Sequence, residues 1–397
     1  MTTTVAADAF AVPFKLHHTA FDGIAAASTI FAMLQRSVQE QVRPPEPRWV
    51  PERSLNALEW MAGTASQYVA QSLRNARAIP GLTRSAIKAI SNSNARAPAQ
   101  PVTRFQKPVS SHRVFDWVSF PMSEVQVLRA ALDKPKMNDL ALCIIAGGLR
   151  RFLHLKGELP DQPLSAACPI NVRGKGDPMA GGNHVSFMRV DLATTIKDPL
   201  ERLQVIIKST THGKAANEDL GATFVGDYLA LFPYPLRAAT LRGAVRLTSK
   251  GAIRAFASTT VTNVANPPGD FFFAGSKVLS YAGLGPVYDG YGLFHTITSM
   301  GWELSISATS CRQMLPDIST YLDCLRQEYA MVLELARVKQ PDRQRAAGKA
   351  TGHRKPRSNG SGPRRKQRAA VRGTRMQPSL HAAKEALHID NTSDSRN

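Results

Sequence analysis

The chain has 397 residues, 43% hydrophobic and 20% charged, with a formal net charge of +20. That length can bury a large core in two domains or subdomains, and that balance is the composition of a folded soluble protein. No apolar run reaches the ~18 residues needed to span a bilayer, and no basic start followed by an apolar signal region opens the chain, so neither a membrane span nor a cleaved export signal is expected.

Taken in order, Phe10 to Leu16 reads as a mostly apolar strand. It leads into His17-His18-Thr19-Ala20-Phe21-Asp22-Gly23, and the residues from Gly23 to Val42 carry Ile24, Ile30, Leu34 and Val38 at helical spacing. The two histidines therefore fall at a strand-to-helix junction, where side chains can project into a cleft. An imidazole with a free pKa near 6.5 is the natural general base for activating a hydroxyl at neutral pH. A lone histidine on an apolar face is usually a core residue. The tandem pair with Asp-Gly behind it makes a catalytic role as good a reading as a structural one. Adjacent strand histidines point to opposite faces, and no His-Glu-x-x-His or Cys-x-x-Cys run completes a ligand set, so no metal site is expected.

Beyond a Pro-rich connector at Arg43 to Trp49, Ser54 to Ile79 has the helical period, and a shorter helix is expected from Leu82 to Ile90. Ser91 to Gln106 is a polar crossing segment and the best internal boundary. Arg113 to Phe120 alternates like a strand, and Ser123 to Leu132 reads as a helix. Asn138 or Asp139 then stands in N-cap position before an apolar helix from Leu140 to Leu155. Strands are expected at Leu164–Ile170 and Val185–Leu192, joined by a Gly-rich loop from Gly174 to Asn183. A helix follows at Leu200–Lys214, with further helical material to about Ala257. The remaining strands are Thr259–Val264, Gly275–Tyr281, Gly292–Met300 and Trp302–Thr309, and the last helix runs from Ile318 to Val338. This order implies an α/β architecture with mixed open sheets flanked by helices. Cys143, Cys168, Cys311 and Cys324 are scattered in apolar surroundings and read as reduced, buried thiols of a cytoplasmic protein.

The charge is uneven. From Pro341 to the end there are 14 Lys/Arg and 4 Asp/Glu, a net +10, half the total. Its basic runs, Arg354-Lys355-Pro356-Arg357 and Arg364-Arg365-Lys366-Gln367-Arg368, are spaced by Ser, Asn and Gly with almost no apolar residues, so a disordered tail is expected. It can attract anionic lipid or nucleic acid, but without interleaved aromatic residues it offers nothing for base stacking, and nucleic acid is not the expected partner.

Several of these stretches, in this order, resemble the bacterial wax ester synthase/acyl-CoA:diacylglycerol acyltransferase family. They are Phe14-Lys15-Leu16-His17-His18 with Asp22-Gly23; Arg104-Phe105-Gln106-Lys107-Pro108-Val109, with Gln106 where Asn is expected; Asn138-Asp139; Pro169 to Arg173 with Gly182-Asn183; Thr262-Asn263-Val264 with Pro267, Gly269 and Ala274-Gly275; and Arg312 to Asp317. The histidine motif alone is shared with peptide-condensation domains and acetyltransferases. The later motifs select the wax ester/triacylglycerol branch, over about Asp8 to Val338.

The resemblance implies the CoA-dependent acyltransferase, chloramphenicol acetyltransferase-like fold in two subdomains. Residues 1–137 would be the remainder of the N-terminal domain, 138–338 the C-terminal domain and 339–397 the basic tail. It implies transfer of a fatty acyl group from acyl-CoA, a co-substrate with no further cofactor, to diacylglycerol or a long-chain alcohol. His18 would be the base, His17 and Asp22 structural supports, with Arg173 a partner for Asp22, Gly23 the turn residue, and Asn138 an oxyanion donor. Such a protein would work in the cytoplasm, peripherally at the inner membrane face or on lipid bodies. Relatives carry a long segment before the histidine motif where this chain has 16 residues. The expectation is an incomplete first subdomain with exposed strand edges, which expresses as poorly folded, weakly active material. Two other readings follow: a related enzyme acting on a carrier-bound alcohol, and a truncated, non-catalytic protein associated with lipid surfaces.

Overall fold

A computed structural model describes residues 9–17, 21, 23–39, 50, 53–70, 72–73, 77, 100–171, 185–220, 234–252, 254–265, 267 and 269–351. Its centre is a six-stranded mixed sheet in the order β1-β8-β7-β4-β2-β3. The strands are β1 (Arg113–Pro121), β2 (Ser165–Asn171), β3 (Val185–Asp191), β4 (Thr259–Ala265), β7 (Leu293–Ser299) and β8 (Glu303–Cys311). β2, β4 and β7 run parallel, while β1, β8 and β3 are antiparallel to their neighbours. β1 precedes residue 138 and yet forms one edge of this sheet, paired along its whole length with β8.

Helices α3 (Met122–Ala131), α4 (Met137–Leu155) and α7 (Ile318–Thr351) pack on one face. The run Leu140 to Leu149 is apolar all round, and every residue of it is buried, as expected for a helix enclosed on all sides. Gly147 and Gly148 bring α7 close: a Cβ on Gly147 would overlap the Glu328 side chain, and one on Gly148 would overlap Leu325. Into the space so made goes the buried Glu328 carboxylate. It accepts from Arg202 at 2.5 Å, on α5 (Pro199–Leu220), and from Arg151 Nε at 2.8 Å, while Arg202 also donates to the Ile196 and Lys197 carbonyls.

The other face of β7 and β8 carries the hydroxyl half of an alternating pattern, Ser305-Ser307-Thr309 against Leu304-Ile306-Ala308. Residues 278–287 lie across it as a strap. Ser307 Oγ donates to the Gly283 carbonyl at 2.6 Å and Thr298 Oγ1 to that of Tyr281 at 2.8 Å. Gly283 and Gly285 approach so closely that a Cβ on either would strike Thr296 or Phe294. This corrects the strand expected at Gly275–Tyr281. Only the two-residue strands β5 (Phe272–Phe273) and β6 (Ser276–Lys277) form, joined by Ala274 and Gly275 at φ of 48° and 80°, the positive-φ pair of a tight hairpin turn. The residues after them use their polar groups on the sheet's face instead of on a ladder.

Other expectations are also corrected. Phe10–Leu16 has the strand pattern but no ladder, because none of the described strands runs beside it, and Phe10, Val12, Phe14 and Leu16 are exposed. Helix α1 spans Gly23–Ala32 and stops well short of Val42. Gln35 instead exchanges backbone hydrogen bonds with Phe272 at 2.8 and 2.9 Å, so tertiary pairing overrides helical spacing. Asn138 and Asp139 are not N-caps: Lys136 holds that place with no side-chain bond, and both residues lie in the first turn of α4. The helix expected to run to about Ala257 ends as α6 (Tyr234–Ser249). It closes with Gly251 at φ 75°, whose N–H, with that of Ala252, caps the carbonyls of Thr248 and Leu247. α7 continues past Val338 to Thr351, because the residues after Pro341 are mostly strong helix formers.

The helix expected at Ser54–Ile79 is present as α2, whose described residues are 57–70, 72–73 and 77. It opens with a capping box: the Asn56 side chain accepts from the Glu59 N–H at 2.8 Å, and Glu59 accepts from the Asn56 N–H at 2.9 Å. The Leu82–Ile90 helix and the Gly174–Asn183 loop lie outside the described residues. Residues 1–345 form one unit and 346–397 another.

Candidate functional site

The front of the histidine motif is placed by α1 and β4. Gly23 opens α1, and a Cβ there would sit 3.6 Å from Val264 Cγ2. Val264 is near the end of β4, next to Asn263, so the structure brings Gly23, the last residue of the histidine motif, against Thr262-Asn263-Val264, far along the chain. The meeting point is the carboxyl end of a parallel strand, which is where open α/β sheets expose sites to ligands. His17 is exposed, and its carbonyl accepts from the Phe21 N–H at 3.4 Å, curling the motif toward the helix. His18, Asp22 and Arg173 lie outside the described residues.

An aromatic cluster joins the segment before the motif and α1 to the β5–β6 hairpin. Phe31 of α1 packs on Phe271 (centroids 4.8 Å apart) and Tyr281 (5.7 Å), Phe14 stands edge-on to Phe273 at 6.3 Å, and the Arg36 guanidinium covers Phe271 at 4.2 Å. Such a wall suits an alkyl chain better than a hydrated polar group.

Asn138 is half-buried at the start of α4, and its side chain helps to hold down the carboxyl of the adjacent Asp139. Asp139 is buried and accepts from Thr210 Oγ1 of α5 at 3.0 Å. Burial raises its pKa, and its charge in turn raises that of Cys168 on β2, the strand beside β4. Burial is the main cause for Cys168, whose thiol is pushed up to about 12, as is that of Cys143. All four cysteines are free and buried, so a thiolate nucleophile is disfavoured at Cys143 and Cys168.

One histidine that sequence reasoning passed over is the most enclosed of the described ones. His295 on β7 is fully buried, with Nδ1 3.0 Å from Thr259 Oγ1 and Nε2 2.7 Å from the Tyr321 hydroxyl. Thr259 donates to the Leu293 carbonyl at 3.0 Å, which leaves its oxygen to accept from Nδ1–H, and the Tyr321 O–H then donates to Nε2. Burial holds the ring's pKa down to about 3. A neutral imidazole with both nitrogens occupied ties α7 to the sheet and has no lone pair left for a substrate. Only its pairing across β4, β7 and α7 gives it this role, and no local sequence signal marks it.

The opposite end of β4 is closed by the crossing segment. Thr103 and Gln106 form a capping box around the 3-10 turn Arg104–Gln106, and Gln106 Nε2 donates to the Ser258 carbonyl at 2.8 Å. Arg104 grips Glu158 through two nitrogens at 2.5 and 2.7 Å. A cavity of ≈ 150 Å³ beside it, lined by Gln100, Gln106, Lys107, Lys250 and Arg254 among others, is a strand's length from Gly23, about 20 Å at ~3.3 Å per residue. It is not part of the histidine site.

Two family profiles match the chain. The wax ester synthase/diacylglycerol acyltransferase catalytic domain matches residues 5–141, and the WS/DGAT C-terminal domain matches residues 181–332. A putative diacylglycerol O-acyltransferase of Mycobacterium tuberculosis is 27% identical over 321 residues, covering 78% of this chain and 62% of the relative. The O-acyltransferase WSD of Acinetobacter baylyi is 27% identical over 329 residues, covering 80% and 69%. The wax ester synthase/diacylglycerol acyltransferase structure from Marinobacter aquaeolei VT8 shares the fold at a TM-score of 0.52 and 21% identity, covering 79% of this chain and 66% of that one. The chain thus spans somewhat under two thirds of the first of these relatives. With both domain profiles matched in order and the fold shared with a solved member, the chain belongs to the wax ester synthase/diacylglycerol acyltransferase family.

Proposed function

We propose that this chain is an O-acyltransferase that moves a fatty acyl group from acyl-CoA to the hydroxyl of diacylglycerol or of a long-chain alcohol. The observation that carries the reading is the seating of Gly23, the last residue of the histidine motif, against Val264 at the carboxyl end of β4. His18 takes the proton from the acceptor hydroxyl as its oxygen attacks the thioester carbonyl, and the imidazolium returns it to the departing CoA thiolate. His17 and Asp22 support the turn. Asn138 carries two amide N–H groups at the start of α4, and one of them would donate to the oxyanion of the tetrahedral intermediate. No acyl-enzyme is needed, in keeping with the raised thiol pKa values of Cys143 and Cys168.

The acceptors are lipids, and the partly exposed rings of Phe14, Phe31 and Phe273, backed by buried Phe271, suit them. None of the described helices is long and apolar enough to cross a membrane, so the proposed place of work is the surface of the inner membrane face or of lipid bodies. The test is release of free CoA thiol from an acyl-CoA when the purified chain is mixed with diacylglycerol or a long-chain alcohol. Turnover that falls about 10²–10⁴-fold in His18→Ala, with an unchanged thermal melt, is the expected result. Equal rates in the two proteins would remove His18 from the mechanism. Binding to lipid surfaces with no thiol release from any pairing of donor and acceptor would favour the non-catalytic reading, which the exposed apolar residues of Phe10–Leu16 and α2 also suit.

A further inference from the structure

The cavity of ≈ 150 Å³ between the crossing segment and the end of α6 is built around a buried amide. Gln100 is 4% exposed, and its Oε1 accepts from two hydroxyls, Ser165 Oγ at 2.7 Å and Ser258 Oγ at 2.9 Å. Those serines fix which way the amide faces. Ser165 Oγ already accepts from Arg189 Nε at 3.2 Å, and Ser258 Oγ from the Ser165 N–H at 3.4 Å. Both hydroxyl protons therefore go to Gln100 and meet its oxygen. The amide nitrogen is left with no partner among the described residues, at the wall of the cavity that Gln100 lines. Polar groups so deeply buried ordinarily find an acceptor.

The rest of the wall is cationic. Lys107 of the crossing segment, with Lys250 and Arg254 just past α6, lines the cavity, and no Asp or Glu does. Among the described residues no carboxylate is ion-paired to any of the three. Glu158 is held by Arg104, and Asp289 takes the Val109 N–H. Arg254 Nη1 also donates to the Gln100 carbonyl at 3.5 Å, which keeps the guanidinium at the cavity. The end of α6 adds no open negative pole, because the carbonyls of Arg246, Leu247 and Thr248 are capped by the N–H groups of Lys250, Ala252 and Gly251.

We infer that this cavity binds a phosphate monoester or free phosphate, apart from the histidine site. Charges of one sign round a concave wall concentrate their field inside it. A carboxylate would bring one negative charge against three positive ones. A phosphate monoester brings about −1.5 to −2 at neutral pH and three acceptor oxygens, enough to engage Gln100 Nε2, Arg254 and a lysine together. Pro101, Val102 and Ala255 supply an apolar side, against which the carbon end of an ester can lie. The same chemistry is offered by the 3′-phosphate of CoA, by a phosphatidate headgroup and by inorganic phosphate. The inference does not depend on the reaction proposed above.

Calorimetric titration of the full chain with inorganic phosphate tests it. The expected result is saturable binding, weakened about tenfold or more by Arg254→Gln and by Lys250→Gln, since each removes a charge-assisted bond. Both side chains are exposed, so the melting temperature should not change. Gln100→Glu keeps an oxygen for the two serines and puts a second carboxylate oxygen where the donor was, so binding should be lost. Lys208→Gln, an equal loss of charge on α5 outside the cavity, should leave the affinity as it was. Competition then names the source. Displacement of phosphate by CoA but not by dephospho-CoA assigns the 3′-phosphate, displacement only by phosphatidylcholine vesicles carrying phosphatidate assigns a lipid headgroup, and displacement by none of these assigns free phosphate. Equal displacement by CoA and dephospho-CoA would place a pyrophosphate there and overturn the choice of a monoester. Absence of saturable binding, or the same weakening in Lys208→Gln as in Arg254→Gln, would overturn the inference and leave only the attraction of the chain's overall charge of +20. No readout involves turnover. A chain that binds phosphate here but transfers no acyl group would refute the proposed reaction and leave this site standing.

Discussion

The C-terminal sheet with its helices and the front of the molecule from Phe10 to Leu73 use apolar residues at comparable spacing to opposite ends. In α4, each residue from Leu140 to Leu149 is buried, because the sheet, α5 and α7 close round it. In α2 and in Phe10–Leu16 the large apolar residues face out. The difference lies in the supply of partners. The sheet gathers strands from β1 to β8 and gives α4 a continuous floor, whereas the described front has only α1, the β5–β6 hairpin and the end of β4 to lean on. Periodicity sets which face a helix would bury, and only a complementary surface determines that the face is buried. What remains open at the front is apolar and aromatic, which is the surface a lipid-handling protein needs.

Breaking the enclosed side should cost the most. Glu328→Ala leaves Arg202 buried without its carboxylate, and the expected loss is about 3–5 kcal/mol, read as a lower midpoint in urea. A variant with Glu328→Leu and Arg202→Met together should recover most of that loss, since paired apolar replacement removes both desolvation costs. Stability unchanged in Glu328→Ala would mean that the triad is hydrated and the enclosure is wrong. Next in size is Tyr321→Phe. It strips the hydroxyl donor from His295 Nε2 and should cost about 1–3 kcal/mol, with acyl transfer retained where the protein is folded.

His295 also sharpens the comparison through pH. Its pKa is held at about 3 in the folded chain, against an ordinary 6.5. Between those values the unfolded chain binds a proton that the folded chain refuses. The stability contributed by the neutral ring is therefore complete above pH 6.5 and is lost as pH falls toward 3. Acid titration followed by circular dichroism should show this slope, and His295→Gln should flatten it. An identical slope in both proteins would show that other groups govern acid unfolding.

The smallest effect belongs to the exposed front. Asn56→Ala removes the cap of α2 and should cost about 1 kcal/mol of local helix stability, visible as faster amide exchange in residues 57–60 but not as a shift of the global melt. A cooperative drop in melting temperature would show α2 to be part of the core.

Much of the architecture was legible in local pattern. β1, α3, β4, β7 and β8 fall within a residue or two of where alternation and helical spacing put them, because each has one buried face or a run of consistent propensity. The order of the motifs gave the family. Spacing failed where a long-range contact outweighs it. α1 stops because Gln35 pairs with Phe272, over two hundred residues away. Residues 278–287 leave the ladder because Gly283 and Gly285 let the backbone lie flat on β7 and β8. Lys136 takes the cap position because Asn138 and Asp139 turn inward, Asp139 toward Thr210. In the site, the motif sequence itself pointed to the histidines, and Gly23's contact with Val264 could not be read from it.

By itself, then, the sequence determined which segments are strands and helices, which faces are apolar, and that a tandem histidine motif stands before a helix, since those properties follow from neighbours a few residues apart. The tertiary structure alone decided that His295 is locked as a neutral tie, that Glu328 bridges two arginines, and that the motif's glycine rests on the end of β4. Each of these joins residues 26 or more apart in the chain, as with Glu328 and Arg202, separated by 126. No local pattern encodes such a meeting, because its free energy comes from water excluded and charges paired only once the distant surfaces have closed.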